Sequence, residues 1–347
     1  MNKLRVAVAL GVAPLVLCAA EATAAARPAS GTASAVHVVS QKRVSSRVTQ
    51  YLVSTPSLGL STKTPLRLDV ILPIDYARHP HWRYPVLYAL PGSASTADQW
   101  LVQTDTLNQT RGRELIVVAM DGGYDTEGGG WYTNWVDQGT SHGVANWETF
   151  HTQEVVAWVD SRFRTLRSRD KRAIVGISQG GFGSMSYAAR HPETYGAAAA
   201  FSGAVDVYYD PVCEAGASAL VSAIVATDGV QPLAPFGDPV TNAANWQAHD
   251  PGSNVVRLRH TAVDLYVSKG EPAQSDLTDP SMAAGAGLEA VVHQSNVCFK
   301  EAADAAKVHF GWHEYDVGLH TEPYINRDLA DYMPRLMRFF GAPVGGR

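Results

Sequence analysis

The chain has 347 residues, of which 46% are apolar and 18% charged, with 30 glycines and 19 prolines. That is enough for one large α/β domain or two small ones, and the apolar fraction with a net charge of only −5 argues against global disorder. Lys and Arg total 28 against 33 Asp and Glu, and no basic block tracks phosphates, so nucleic acid is not expected as a partner.

The first 26 residues read as a secretory signal peptide. Lys3 and Arg5 precede an apolar stretch, Val6 to Ala20, and small-residue cleavage sites follow at Ala22-Thr23-Ala24 and Ala24-Ala25-Ala26. The stretch is shorter than the ~20 residues of a membrane span, so an exported protein without integral membrane association is expected. Residues 27–45, rich in Ser and Ala, read as a flexible lead-in to one large domain over 46–343. Cys18 leaves with the signal. Cys213 and Cys298 remain, and an oxidising compartment favours one disulfide between them over two buried thiols.

After the lead-in, Val48 to Ser54 and Leu66 to Leu72 alternate like two antiparallel strands. Pro85 to Leu90, Glu114 to Met120 and Arg172 to Ile177 are short continuous apolar runs, as in strands buried on both faces. Phe150 to Phe163 has helical spacing, and Gly181 to Arg190 reads as a helix stopped by Pro192. Ala197 to Ser202, Ala262 to Ser268 and Lys307 to Tyr315 supply later strands, and Pro323 to Phe340 a closing helix. Residues 206–250 read as an irregular insertion. Strands alternating with helices over this length predict an α/β fold, with a mostly parallel central sheet and helices on both faces.

The sharpest motif is Gly176-Ile177-Ser178-Gln179-Gly180, where a buried strand ends and a helix begins. A serine on such a turn projects its hydroxyl from the strand end, and the glycines remove side chains that would clash. The string alone is weak, and its strand-to-helix context carries the nucleophile reading. The alternative is a helix-capping serine. The hydroxyl needs a base, and in this arrangement the chain order is serine, acid, histidine. His320 follows Gly318 in a loop between the last strand and the closing helix, where it can reach back to the nucleophile. His313, inside a strand-like run, is the runner-up. The acid is sought after the Val263–Ser268 strand, where Glu271, Asp276 and Asp279 lie. Spacing does not choose among them; Asp276 is favoured, with Glu271 next. The N–H of Gln179 at the helix start and that of Ser93 in the Pro91-Gly92-Ser93 loop are the candidate oxyanion donors; Pro91 has no N–H to give. Trp131, Tyr132 and Trp135 are candidates for a substrate-binding wall, with core packing as the alternative.

With those residues placed, the chain resembles the esterase family of the α/β-hydrolase superfamily that includes the antigen 85 mycolyltransferases. The likeness runs from about Val86 to Leu336. It rests on Leu87-Tyr88-Ala89-Leu90-Pro91-Gly92-Ser93, Trp131-Tyr132-Thr133-Asn134-Trp135, Trp147-Glu148-Thr149-Phe150, the serine motif with Gly181, Ser202-Gly203, His249-Asp250-Pro251 and Gly318-Leu319-His320-Thr321. The resemblance implies an α/β-hydrolase fold, a Ser-acid-His triad and acyl-ester chemistry with neither metal nor organic cofactor. Pro91 stands where the mycolyltransferases carry Asp, and Glu322 where they carry an aromatic residue, which weighs against transfer to trehalose. A secreted serine esterase is therefore expected, with acyl transfer to a sugar as the alternative. A non-catalytic binding protein on the same scaffold is the third reading.

Overall fold

The computed structural model describes residues 35–124, 129–208, 231–278 and 282–341. Its frame is a nine-stranded sheet in the order β1-β2-β3-β5-β4-β6-β7-β8-β9. The strands are β1 (His37–Arg43), β2 (Val48–Ser54), β3 (Leu66–Ile71), β4 (Val86–Leu90), β5 (Ile116–Met120), β6 (Arg172–Ile177), β7 (Ala197–Phe201), β8 (Ala262–Glu271) and β9 (Gly311–Val317). From β5 across to β9 every pairing is parallel, while β1, β2 and β3 add antiparallel neighbours at one side.

Every residue of β4, β5, β6 and β7 is buried. The twofold side-chain repeat of a strand sends alternate residues to opposite faces. Val86, Tyr88 and Leu90 join one apolar cluster, and Leu87 and Ala89 the other. Each cluster is closed by helices. The first takes Trp158 and Val159 of α3 (Val156–Arg162), Phe182 and Met185 of α4 (Gln179–Arg190), and Val292 and Phe299 of α6 (Met282–Ala305). The second takes Leu329, Met333 and Leu336 of α7 (Glu322–Phe339) and, ahead of them in the chain, Trp100 of α1 (Gln99–Val102). This is the α/β layering that the sequence predicts.

Four details correct the sequence reading. Residues 37–43, assigned to a flexible lead-in, form the edge strand β1, paired with β2 from His37 to Arg43. The last strand begins at Gly311 rather than Lys307 and runs to Val317. Ala243–His249, inside the expected insertion, is a helix, α5. Finally, α6 was not anticipated. Gly285 and Gly287 lie in its first turns and weaken the local helical signal, and tertiary packing overrides them. The signal segment, Cys213, Asp279 and residues 209–230 lie outside the described residues. Among the described residues no helix is long and apolar enough to cross a membrane.

Candidate active site

Ser178 occupies the turn between β6 and α4 with φ 55° and ψ −118°. A non-glycine residue at positive φ is strained by about 1–3 kcal/mol, so the surroundings must hold it. They do so through backbone bonds. The Ser178 N–H donates to Phe201 O at 3.0 Å, and its carbonyl accepts the Gly181 N–H at 2.9 Å. The two glycines of the motif are sterically required. A Cβ on Gly176 would lie 1.8 Å from Gly180 O, and one on Gly180 would lie 2.4 Å from Leu90 O. The turn is therefore wedged between its own strand and the neighbouring β4.

Ser178 lines a cavity of about 280 Å³. Ser93, Gln179, His320 and Trp131 line it too, which brings five of the sequence-predicted residues together. No acceptor among the described residues takes the backbone N–H of Ser93 or Gln179, so both are open to a ligand oxygen. The Gly92 N–H, by contrast, is already held by Gln99 Oε1 at 2.9 Å. The Gln179 side chain spans the gap and donates to Ser93 Oγ at 3.1 Å, tying the loop after β4 to the start of α4.

His320 sits between β9 and α7, and its N–H donates to Gly285 O at 3.1 Å. The carboxylate against its ring is not Asp276. Glu289 Oε2 lies 2.9 Å from His320 Nδ1, and Glu289 is 0% exposed. Its other oxygen accepts from Ser202 Oγ at 2.9 Å and from the Ser268 N–H at 2.8 Å. A buried carboxylate needs such donors to offset its lost hydration. Asp276 instead accepts from the Ala273 N–H at 2.8 Å and from the Tyr324 hydroxyl. Glu271 is exposed at the end of β8. The sequence search failed because it looked in the loop directly after β8, whereas the carboxylate comes from the helix beyond. One signal could have found it. Glu289, Val292, Asn296, Phe299 and Ala303 recur at helical spacing and are all buried, so Glu289 is a lone carboxylate on the inward stripe of α6.

The family model described as "Putative esterase" matches residues 60–336. The chain belongs to that esterase family. It is 30% identical over 233 residues to Esterase Rv1288 of Mycobacterium tuberculosis, covering 66% of this chain and 48% of the relative. It thus spans about half the length of the first curated relatives it matches. It is 29% identical over 266 residues to the Diacylglycerol acyltransferase/mycolyltransferase Ag85A of the same organism, covering 74% of each. The crystal structure of Mycobacterium tuberculosis MPT51 superposes with a TM-score of 0.64 at 22% identity, over 84% of this chain and 97% of that one. That likeness supports the fold, an α/β-hydrolase sheet.

Within this esterase domain the three aromatic candidates separate. Trp131 lines the cavity and packs edge-on against Phe182 and Phe236. Tyr132 and Trp135 do not line it. The Tyr132 hydroxyl donates to Pro91 O at 2.6 Å, and Trp135 Nε1 to Gly130 O at 2.8 Å, and both rings are buried. Tyr132 braces the loop that carries Ser93 from behind. The runner-up base, His313, faces Asp264 at 2.8 Å and stacks on Tyr266, and it is not a cavity residue. His191 and His249 both face Glu148. Burial works to raise the Glu148 carboxyl, but bonds from His191, His249 and Arg190 hold it well below the usual carboxylate range. That cluster is structural. It joins the end of α4 to α5, because Arg190 also donates to Ala248 O. Among the described residues no group of three or more His, Cys, Asp or Glu side chains is placed to hold a metal ion.

Proposed function

We propose that the protein is an exported serine esterase that cleaves carboxylic esters through an acyl-enzyme. The observation that carries this reading is the His320–Glu289 pair, fully buried on its acid side, with the His320 ring on the same cavity as a strained Ser178. Nδ1 of His320 donates to Glu289, which leaves Nε2 to take the Ser178 proton as Oγ attacks the ester carbon. The Ser93 and Gln179 N–H groups receive the oxyanion. The protonated imidazole then gives its proton to the departing alcohol. Water, deprotonated by the same nitrogen, releases the acid and restores Ser178.

The cavity of about 280 Å³ has room for a compact ester. The deciding experiment uses p-nitrophenyl esters from acetate to decanoate. Wild type should turn over the short chains best, and Ser178→Ala should lose essentially all turnover. Undiminished hydrolysis by that variant would refute the assignment.

Acyl transfer to a sugar is the second reading. The relationship to Ag85A favours it, and it would use the same acyl-enzyme. Labelled trehalose with a glycolipid donor separates the two, since an esterase yields free acid only. Export is supported by the N-terminal signal-like segment, and a Cys213–Cys298 disulfide by the bonded state of the Cys298 sulfur.

A further inference from the structure

The cavity lining is mostly apolar, with Leu288 and Val292, a turn apart on α6, joined by Trp131, Ala204 and Ile325. Polar residues stand among them: Gln99 of α1, Thr104 just beyond it, and Thr321 and Glu322, where α7 begins. These polar pieces are joined nearby, because the Asp105 N–H donates to Asn326 Oδ1 at 2.7 Å.

The chemistry orients a substrate in this cavity. His320 must hand its proton to the alcohol oxygen, so the alcohol half lies beside His320 and next to the two residues that follow it, Thr321 and Glu322. Among the described residues the cavity lining holds no Lys or Arg, and Glu322 is the one carboxylate there. Glu322 is exposed, and no hydrogen bond or ion pair among the described residues engages it. It is also the first residue of α7. Glu322 therefore puts a carboxylate on the lining of the cavity that must take the alcohol.

We infer that Glu322 is a specificity-determining residue that sorts esters by the charge of their alcohol. Cationic alcohols are favoured over neutral ones of the same shape, and anionic alcohols are disfavoured. The inference rests on the ester-cleaving reading of Ser178 and His320, which it uses to place the alcohol half. An exposed charge pair in water is weak, so the bias is about two- to fivefold, and salt screens it.

The test compares acetylcholine, its neutral isostere 3,3-dimethylbutyl acetate, and the anionic O-acetylglycolate. Wild type, Glu322→Gln and Glu322→Lys are assayed in a pH-stat at low ionic strength. The quantity read is the kcat/KM ratio between esters within each protein, so a general loss of activity or of folded protein cancels. The cationic-to-neutral ratio should be about two to five in wild type, near one in Glu322→Gln and below one in Glu322→Lys. Raising the salt to 0.5 M should bring the wild-type ratio toward one. Equal ratios in all three proteins would overturn the inference while leaving the esterase reading intact. If wild type hydrolyses none of the three esters, nor the p-nitrophenyl series, both fall together.

Discussion

Glu289 is a carboxylate with no exposed surface, held by one imidazole, one hydroxyl and one backbone N–H. Its amide counterpart would keep the shape but lose the charge that steadies an imidazolium. Glu289→Gln should therefore lower kcat by about 10³–10⁴-fold with little change in KM. Asp276→Asn should stay within about twofold of wild type, because Asp276 bonds Tyr324 and Ala273 rather than His320. Steady-state kinetics on one short ester compares the two, and equal losses would return the acid role to open question. The contrast explains what the sequence could disclose at this scale. Ser178 announces itself because local sterics demand glycines at fixed offsets. His320 does so because a loop between strand and helix has few places to point. Glu289 carries only the faint mark of a carboxylate on an apolar helical stripe, since its role is set by Ser202 and His320, 87 and 31 positions away. Ser202 itself takes φ 47°, a left-handed conformation that a serine code does not advertise.

Among the elements, α4 is the one whose placement the site depends on most. Its first turn passes so close to β4 that any side chain at position 180 meets the Leu90 and Pro91 carbonyls. Gly180→Ala should cost about 1–3 kcal/mol of stability and displace the loop that presents Ser93. A fall in melting temperature together with reduced kcat would bear this out, and an unchanged melting temperature would contradict it. Tyr132 supports the same loop from the other side through Pro91 O. Tyr132→Phe should therefore lose about 1 kcal/mol in denaturant unfolding while its ring packing stays intact. The parallel strands were readable because burial on both faces writes an unbroken apolar run. By contrast, β1 is exposed along its whole length, and its assignment comes only from hydrogen bonding to β2. Pairing of that kind leaves little trace in composition.

For the molecule as a whole, buried carboxyls make stability depend on pH. Burial raises Asp69 to about 6 and both Asp121 and Asp328 to about 7. Each binds its proton more tightly folded than unfolded. Their contribution is complete below an unfolded carboxyl pKa of about 3.9 and is lost as pH rises toward 7. Glu148 acts in the opposite sense, since its contribution is present above the ordinary carboxylate pKa and is lost as the pH falls below it. His151, which burial lowers to about 4, adds stability as pH rises toward 6.5, but the three raised carboxyls outnumber it, so calorimetry should show the melting temperature falling from pH 5 to 8. Asp328→Asn, which mimics the protonated form, should narrow the difference. A melting temperature that climbs from pH 5 to 8 would rule this account out.

One consequence of α6 remains. The same helix delivers Glu289 to His320 and, from the positions on either side of it, Leu288 and Val292 to the cavity wall. Adjacent helical residues are 100° apart around the axis, so a small roll or slide of α6 moves all three at once. Pocket width and proton relay are therefore geared together. Enlarging the cavity by shifting this helix would detune the proposed His320–Glu289 pair, whereas trimming Leu288 or Val292 in place would not. In this chain, room for a larger acyl group would thus come from side-chain exchange on a stationary helix.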